Sequence, residues 1–268
     1  HLEKNVTTNA EINAQGQTAA SIRSRLPISV DFRTMALNMP DETDSISVNM
    51  ITDNFNLSVF NDFLDKQYLN RLRGVLNADI NIEGTTNTLT PKGYFRLQNG
   101  QISVPIAGIK LTGITSELNF SQSGLQLSQL SARSGSGSFS ASGNIDLEGI
   151  VPTNLDITAK ANRFRLANTS DYNLTIDLDS KLTGKPTQPK ASGELRVKNG
   201  FVFLQDFGEK SVETIELEGE ETSSFSAYDS LAMDMRFVIE RNFLIRNSRY
   251  LDLEIALTGE LDAQKQRS

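Results

Sequence analysis

Gly93-Tyr94-Phe95-Arg96-Leu97-Gln98-Asn99-Gly100 is the segment around which the chain is organised. A second copy, Gly193-Glu194-Leu195-Arg196-Val197-Lys198-Asn199-Gly200, follows at an offset of 193 − 93 = 100 residues. The two copies share the pattern Gly-x-apolar-Arg-apolar-x-Asn-Gly, and Gly84 and Gly184 precede them at equal distances. Alternating apolar residues predict a strand, and Asn-Gly predicts a tight turn, because both residues tolerate positive φ. The sequence therefore predicts a weak internal repeat built from β-strands.

Composition favours a protein with much exposed surface. Of the 268 residues, 38% are hydrophobic, and the mean hydropathy is −0.31. These values suit a single curved sheet better than a thick core. The net charge of −7 and the absence of Lys/Arg clusters argue against nucleic-acid binding and against adsorption to an anionic membrane face.

The residue types that most enzymes and metal sites need are missing. There is no Cys, and the single His is His1. Disulfides, thiolate nucleophiles and Cys-based metal sites are excluded, and the usual general bases are absent. A carboxylate-pair hydrolase stays formally open, but the Asp residues fall on the polar phase of predicted strands, which favours a solvated face. We therefore predict no enzyme, no catalytic residue, no metal site and no cofactor.

The chain divides into three stretches within a single elongated β-groove fragment. Residues 1–57 are predicted as N-terminal strands, residues 58–74 as a helix, and residues 75–268 as repeated strand units. The helix, centred on 59–73, is predicted from apolar side chains at helical spacing that would cover one end or edge of a sheet. His1-Leu2-Glu3 is interpreted as a tag remnant, and the chain as a piece of a longer protein. The apolar helix residues are Phe60, Phe63, Leu64, Tyr68 and Leu72.

From Val75 onward the apolar period is 2 almost everywhere, which is typical of antiparallel sheet with one apolar and one wet face. The Gly/Ser-rich run at 134–138 is predicted as a turn or bulged strand rather than a linker, because alternation resumes at once. One helix cannot cover so long an apolar face. The sheet must curl on itself, meet a second sheet or hold an apolar guest.

Three motifs resemble the C-terminal region of the TamB family, within the AsmA-like superfamily, over about residues 58–261. The first is the run 76–85 followed by Pro91 and residues 93–100. The second is its partial repeat from Leu182 to Gly200. The third is the basic and apolar run 241–246 that leads into residues 253–261.

The resemblance implies an all-β fold, a long curved antiparallel-rich β-sheet (a β-taco) with a hydrophobic groove. It implies a periplasmic location in a Gram-negative bacterium, with the parent protein anchored in the inner membrane. It also implies an Omp85-type outer-membrane barrel protein as partner and a role in outer-membrane biogenesis. Two activities belong to the family: moving phospholipid toward the outer membrane, and assisting insertion of barrels such as autotransporters.

Three functions remain open at this point. The first is a conduit for phospholipid acyl chains, the second a scaffold that pairs a nascent barrel strand with the edge strand at 249–261. The third is a two-sheet adhesin or stalk module with a dry interior. By strand phase, the predicted groove lining is Ile80, Ile82, Leu155, Ile157, Leu174, Ile176, Leu178, Leu231, Met233, Met235, Phe237, Ile239, Leu251, Leu253, Ile255 and Leu257.

Overall fold

The computed structural model describes residues 6–14, 17–31, 36–38, 41–203, 230–247 and 253–265. Strands dominate this part of the chain, with two short 3₁₀ helices at Leu57–Phe60 and Pro105–Ala107. The strands are β1 (Val6–Ala14), β2 (Gln17–Leu26), β3 (Ser29–Asp31), β4 (Ala36–Asn38), β5 (Ser45–Asn56), β6 (Asn70–Thr85), β7 (Thr90–Val104), β8 (Ile109–Ser121), β9 (Gly124–Ser134), β10 (Gly137–Glu148), β11 (Val151–Asn168), β12 (Tyr172–Lys185), β13 (Gln188–Phe203), β14 (Ala232–Asn247) and β15 (Leu253–Lys265).

Thirteen of these strands form one sheet in the order β1-β2-β5-β6-β7-β8-β9-β10-β11-β12-β13-β14-β15. Every neighbouring pair is antiparallel except β13 and β14, which run parallel. The short strands β3 and β4 pair with each other in a separate two-stranded sheet. The predicted all-β, antiparallel-rich class is confirmed, and it follows from the period-2 pattern, which suits a half-buried pleated surface.

The register gives the sheet one apolar face and one polar face, since directly paired residues point to the same side. We use the names apolar face and polar face for these two sides throughout. One row of the apolar face comprises Ala78, Phe95, Leu118, Leu127, Gly143, Ile157, Leu182, Ala191 and Met233. The adjacent row of the polar face comprises Asp79, Tyr94, Asn119, Gln126, Asn144, Asp156, Thr183 and Lys190.

An oblique row of β-bulges, here called the crease, crosses the sheet near one end of the strands. It interrupts the register at 52/55 in β5, 97/100 in β7, 112/115 in β8, 161/164 in β11, 197/200 in β13 and 239/243 in β14. Each bulge adds unpaired residues to one strand, which bends that strand and increases its twist. Because these bulges recur across the sheet near the same end of the strands, the crease divides the sheet into a long lower part and a short upper part.

The predicted Asn-Gly turns are wrong, because both dipeptides lie inside strands at the crease. Asn99-Gly100 interrupts β7, and Asn199-Gly200 interrupts β13. Asn99 adopts φ 52°, so the conformation that favours Asn here serves a bulge rather than a hairpin. The internal repeat keeps its geometry at Gly93 and Gly193. A Cβ built at these two glycines would lie 1.8 Å and 2.2 Å from the carbonyl oxygens of Asp79 and Asp179.

The predicted helix over 59–73 is also wrong. Only Leu57–Phe60 is helical, as a single 3₁₀ turn, and β6 already begins at Asn70. The reason is local side-chain bonding by short polar residues, which competes with helix formation. The Asn61 side chain accepts from the backbone N of Leu72 at 2.7 Å and donates to the Leu72 oxygen at 2.9 Å. Phe63, expected to cover the sheet, is 84% exposed.

The upper ends of β8 and β11 converge over the β9–β10 turn, which lies at the predicted Gly/Ser-rich run. Ser134 is 1% exposed, and its hydroxyl donates to the Arg165 carbonyl oxygen at 2.7 Å. The Tyr172 hydroxyl donates to the Ile106 oxygen at 2.8 Å, which ties the β11–β12 turn to the β7–β8 connection. These bonds join strands that are not neighbours in the sheet, so the sheet folds toward its apolar face.

The core is a single layer. In the described part of the chain, the main close approaches between strands that are not hydrogen-bonded neighbours are those of β11 with β8 and β9, and no second layer of strands covers the apolar face. This excludes the two-sheet sandwich for the described residues. The buried apolar side chains lie along the whole sheet: Ala20, Phe55, Ala78, Ala141, Phe164, Ala167, Ile176 and Met235.

Candidate functional site

The predicted groove-lining residues that lie on the described strands share the apolar face. On β12, Leu174, Ile176 and Leu178 are register partners of Gly200, Val197 and Leu195 on β13. The remaining members fall in the same rows through the partners that neighbouring strands provide: Ile80 and Ile82 on β6, Leu155 and Ile157 on β11, Met233, Met235, Phe237 and Ile239 on β14, and Leu253, Ile255 and Leu257 on β15. Leu231 directly precedes β14, and Leu251 lies outside the described residues.

Most of these side chains are only half-buried. Ile176 and Met235 are 4% and 8% exposed, whereas Ile255 on the outermost strand is 43% exposed. Neighbouring side chains of the same face shield each residue partly, but no opposing layer completes the burial. In a closed core such Leu, Ile and Phe residues would be fully buried. Among the described residues, the apolar side chains therefore contact one another within the sheet, and no further layer of these residues lies over them.

The sequence reasoning missed a central part of this face. Phe95, Leu118, Leu127, Ile145 and Leu195 lie in the same rows, and all are half-buried. The first four connect the predicted residues of β6 to those of β11 across β7–β10, and Leu195 on β13 connects those of β12 and β14. The signal was present, because each lies on a period-2 stretch of its own strand.

The charged side chains occupy the polar face, where they pair across strands. Lys160 lies 3.2 Å from Asp179, and Lys181 lies 2.9 Å from Asp156. Between β13 and β14, Lys198 contacts Glu240 at 2.6 Å. These are exposed or half-exposed pairs, so each contributes little to stability, about 0–1 kcal/mol. Their effect is to keep charge off the apolar face.

Two arginines of this polar network carry shifted pKa values. The Glu194 carboxylate accepts a hydrogen bond from the Arg196 guanidinium, and this bond, together with the carboxylate's charge, raises the pKa of Arg196 above its ordinary value. The hydrogen bond and charge of Glu260 act in the same way on the pKa of Arg236. Both guanidinium groups therefore stay charged at every pH in which the protein is folded, and neither is a candidate general base.

A depression of about 440 Å³ lies on the polar face rather than in the groove. Lys160, Asp177, Asp179, Glu194 and Arg196 line it. Since these groups pair with one another or with neighbours on the same face, the depression is the floor of the ion-pair network. It is unsuited to an apolar guest.

Within the described ranges, no group of three or more His, Cys, Asp or Glu side chains is arranged to hold a metal ion. Among the same residues, no helix has the length and apolar character needed to span a membrane.

The comparisons with known proteins give one match. The model of the TamB C-terminal domain family matches residues 127–267, which is more than half of the chain. No curated protein and no solved structure matches the chain. The matched region contains most of β9 and all of β10 to β15, where the predicted groove residues are densest. The chain belongs to the TamB family, a non-enzymatic transport and assembly module of the Gram-negative envelope with a general role in outer-membrane biogenesis.

Proposed function

We propose that the apolar face carries the acyl chains of phospholipids across the periplasm from the inner to the outer membrane. The observation that supports this is the continuity of the face. Apolar rows run from β6 to β15 through paired residues, and no second layer covers them in the described part of the chain. A continuous apolar surface of this size that is left uncovered is typical of a surface that binds a ligand or a partner.

The dimensions suit a lipid path. Thirteen strands give twelve spacings, so the sheet measures about 58 Å across its strands at about 4.8 Å per spacing. Exposure of roughly thirty acyl methylenes to water costs on the order of 25 kcal/mol at about 0.8 kcal/mol each. A continuous apolar lining lowers this cost at every point of the path, and no single high-affinity site is needed.

The chemistry of the face suits a guest without fixed shape. Met233 and Met235 supply flexible, polarisable side chains on β14. The rows beside them on the polar face hold most of the charges, so a sliding acyl chain meets few charged side chains along the apolar rows. Lys265, the register partner of Met233 on the terminal strand, is a charged residue in an apolar row. The lipid headgroup would stay in water at the open side of the groove.

Site-specific photo-crosslinking tests this proposal in cells labelled with radioactive phosphate. The probes are placed at Ile145 and Phe237 on the apolar face, and the matched controls at Asn144 and Val238 on the polar face. Phospholipid label at the first pair alone is the expected result. Equal label at both pairs, or none at Ile145 and Phe237, would overturn the conduit.

A second candidate function is a scaffold for outer-membrane barrel assembly with an Omp85-type partner. The specific observation in its favour is that β15 is the terminal strand of the sheet and pairs only with β14 among the described strands. Its free edge offers backbone groups for β-augmentation, and Leu261 on it is 64% exposed. Crosslinks from Leu261 to a barrel protein, with no lipid label at Phe237, would favour this function over the conduit.

We also propose that the parent protein is anchored in the inner membrane and faces the periplasm. The family assignment places TamB proteins in the Gram-negative envelope. Fractionation of cells that express the full-length parent chain tests the anchor, and the expected result is recovery with inner-membrane markers. Recovery in the soluble periplasmic fraction would contradict it.

A further inference from the structure

The upper end of the sheet carries exposed apolar side chains along its rim. We call this rim the upper lip and define it as residues 57–73, 103–112, 133–137 and 163–172. Phe63 is 84% exposed, Ile106 54% and Tyr172 38%. The hydrogen bond from the Tyr172 hydroxyl to the Ile106 oxygen, 2.8 Å, holds the latter two side by side. The lip thus presents aromatic and aliphatic groups outside the groove.

The same lip is basic. Its cationic side chains are five arginines and two lysines, against the carboxylates of Asp62, Asp65 and Asp171. Two of those carboxylates already accept local bonds: Asp65 from the backbone N of Gln67 at 2.9 Å and Asp171 from the Ser170 hydroxyl at 3.1 Å. The basic residues are Lys66, Arg71, Arg73, Lys110, Arg133, Arg163 and Arg165.

The lip differs from the sheet below the crease in the number of its unpaired cations, although Arg25, Lys92 and Lys185 below the crease also make no ion pair among the described residues. In the described part of the chain, none of the seven lip cations makes an ion pair, whereas Lys160, Lys181 and Lys190 below the crease each lie within 3.8 Å of a carboxylate. Six of the seven are exposed, and Arg165 is half-buried. The lip therefore carries seven cations against three carboxylates, an excess of 7 − 3 = 4 positive charges, although the whole chain has a net charge of −7.

Two of these cations converge on the β9–β10 turn. The guanidinium of Arg165 lies over Gly135, where a built Cβ would be 3.1 Å from both Nε and Cζ. The Arg165 Nε is shielded from solvent and has no hydrogen-bond partner. Arg133, two residues before Gly135, shares the polar face with Lys110, because its register partner Thr112 lies two residues from Lys110 on β8. Together with Lys110, these two residues place cations of β8, β9 and β11 at or beside the β9–β10 turn.

We propose that the upper lip docks on the surface of an anionic phospholipid bilayer. Unpaired cations beside exposed aromatic and aliphatic groups match a surface that has phosphate outside and hydrocarbon beneath. Phe63, Ile106 and Tyr172 enter the interface, while Arg73, Lys110 and Arg133 contact headgroup phosphates. This docking is separate from the passage of acyl chains along the groove, and it would set the open groove against a membrane.

Vesicle flotation with the 268-residue chain tests the proposal. The vesicles are phosphatidylcholine alone or phosphatidylcholine with about 30 mol% phosphatidylglycerol, at low and high salt. The lip variant combines Arg73→Gln, Lys110→Gln and Arg133→Gln. The matched control combines Arg25→Gln, Lys92→Gln and Lys185→Gln, three exposed basic residues below the crease, and changes the net charge by the same amount.

Wild type and control are expected to float with the anionic vesicles and to lose binding at high salt. The lip variant is expected to bind about 100-fold more weakly, at about fivefold for each charge removed near the surface. Phe63→Ser, which changes a side chain that is 84% exposed, is expected to weaken binding roughly tenfold without loss of fold.

Equal binding of lip variant and control would overturn the proposal, and so would equal binding of wild type to neutral and anionic vesicles. Absence of vesicle binding would also overturn it and would leave the lip as a surface for an acidic protein. The proposed conduit has a separate readout, because none of these substitutions lies on the apolar face. Lipid label at Phe237 with no flotation would reject the docking surface alone, and flotation without that label would reject the conduit alone.

Discussion

Gly137→Ala probes the convergence of β8 and β11 over the β9–β10 turn. A Cβ at Gly137 would lie 2.0 Å from the carbonyl oxygen of Arg163 and 2.5 Å from the backbone N of Phe164. Both are backbone atoms and do not rotate away. An ordinary contact needs about 3.5 Å, so β11 has to move by about 1.5 Å. The Gly137 backbone itself is unstrained by the change, since its φ lies outside the left-handed region.

The free-energy cost follows from that displacement. The bond from the Ser134 hydroxyl to the Arg165 oxygen, 2.7 Å, would stretch beyond hydrogen-bonding range. Its loss leaves a buried hydroxyl and a carbonyl unpaired, at about 1–3 kcal/mol. Overpacking adds about 1–3 kcal/mol. Because the strand relaxes in part, we expect the upper end of β11 to open more easily by about 2–5 kcal/mol.

Amide hydrogen exchange of residues 161–169 measures this opening. The expected acceleration lies between about 30-fold and a few thousand-fold. Gly259→Ala on β15 is the control, because nothing lies within 4 Å of its built Cβ. Ser134→Ala removes the hydroxyl without adding volume and is expected to give a smaller acceleration in the same segment. Unchanged exchange at 161–169 in a folded Gly137→Ala protein would refute the folding of β11 over the turn.

Three further predictions test the faces and the crease. Phe237→Glu places a charge on the apolar face and is expected to abolish phospholipid label at a probe on that face, whereas Val238→Glu on the polar face leaves the label unchanged; loss of label in both would point to misfolding instead. Arg236→Gln breaks the ion pair with Glu260 at the polar surface and is expected to lower the free energy of unfolding only slightly, by a difference that shrinks further at high salt because exposed pairs are screened, as measured by denaturant titration; a large loss of stability would contradict an exposed pair. Asn99→Gly is expected to be neutral and Asn99→Ala to destabilise by about 1 kcal/mol, because φ is 52° at this position; equal stability of the two variants would contradict a left-handed bulge.

Strand phase was the part of the structure that the sequence predicted best. Ile176, Met235 and Phe237 were assigned to one side from alternation alone, and the register places them on one face. Alternation is a local property of the pleat, so it is readable without knowledge of the neighbours. The same argument was available for Leu118 and Leu127, which the sequence reasoning left out.

The predictions that depended on backbone conformation, rather than on the side of the strand to which a residue points, were wrong. Asn99-Gly100 has the composition of a hairpin turn, yet a bulge requires the same positive φ, and composition does not distinguish the two. The spacing of Phe60, Phe63 and Tyr68 matches a helix, but Asn61 bonds to the backbone of Leu72 and stops the helix after one turn. Whether a side chain such as that of Asn61 can bond to a backbone and so replace helix hydrogen bonds depends on which strand lies beside the segment.

The net charge of the chain and the local distribution of its charged residues lead to different expectations about membrane binding. A net charge of −7 predicted no attraction to an anionic membrane. Below the crease Lys160, Lys181 and Lys190 pair with carboxylates, whereas the seven cations of the lip outnumber its three carboxylates and make no ion pair with them. This arrangement arises only when the strands are placed side by side, and it is the basis of the proposed docking surface.

By itself the sequence determined an all-β protein of the TamB family with one apolar and one polar side to its strands. The physical reason is that a period of two follows from the pleat of each single strand. The pairing of strands, which no sequence pattern predicted, places thirteen of the described strands in one sheet, bends that sheet at the crease and leaves its apolar face uncovered by the described residues. These properties depend on which strands are neighbours and on where successive bulges align, and that information is not contained in any one strand.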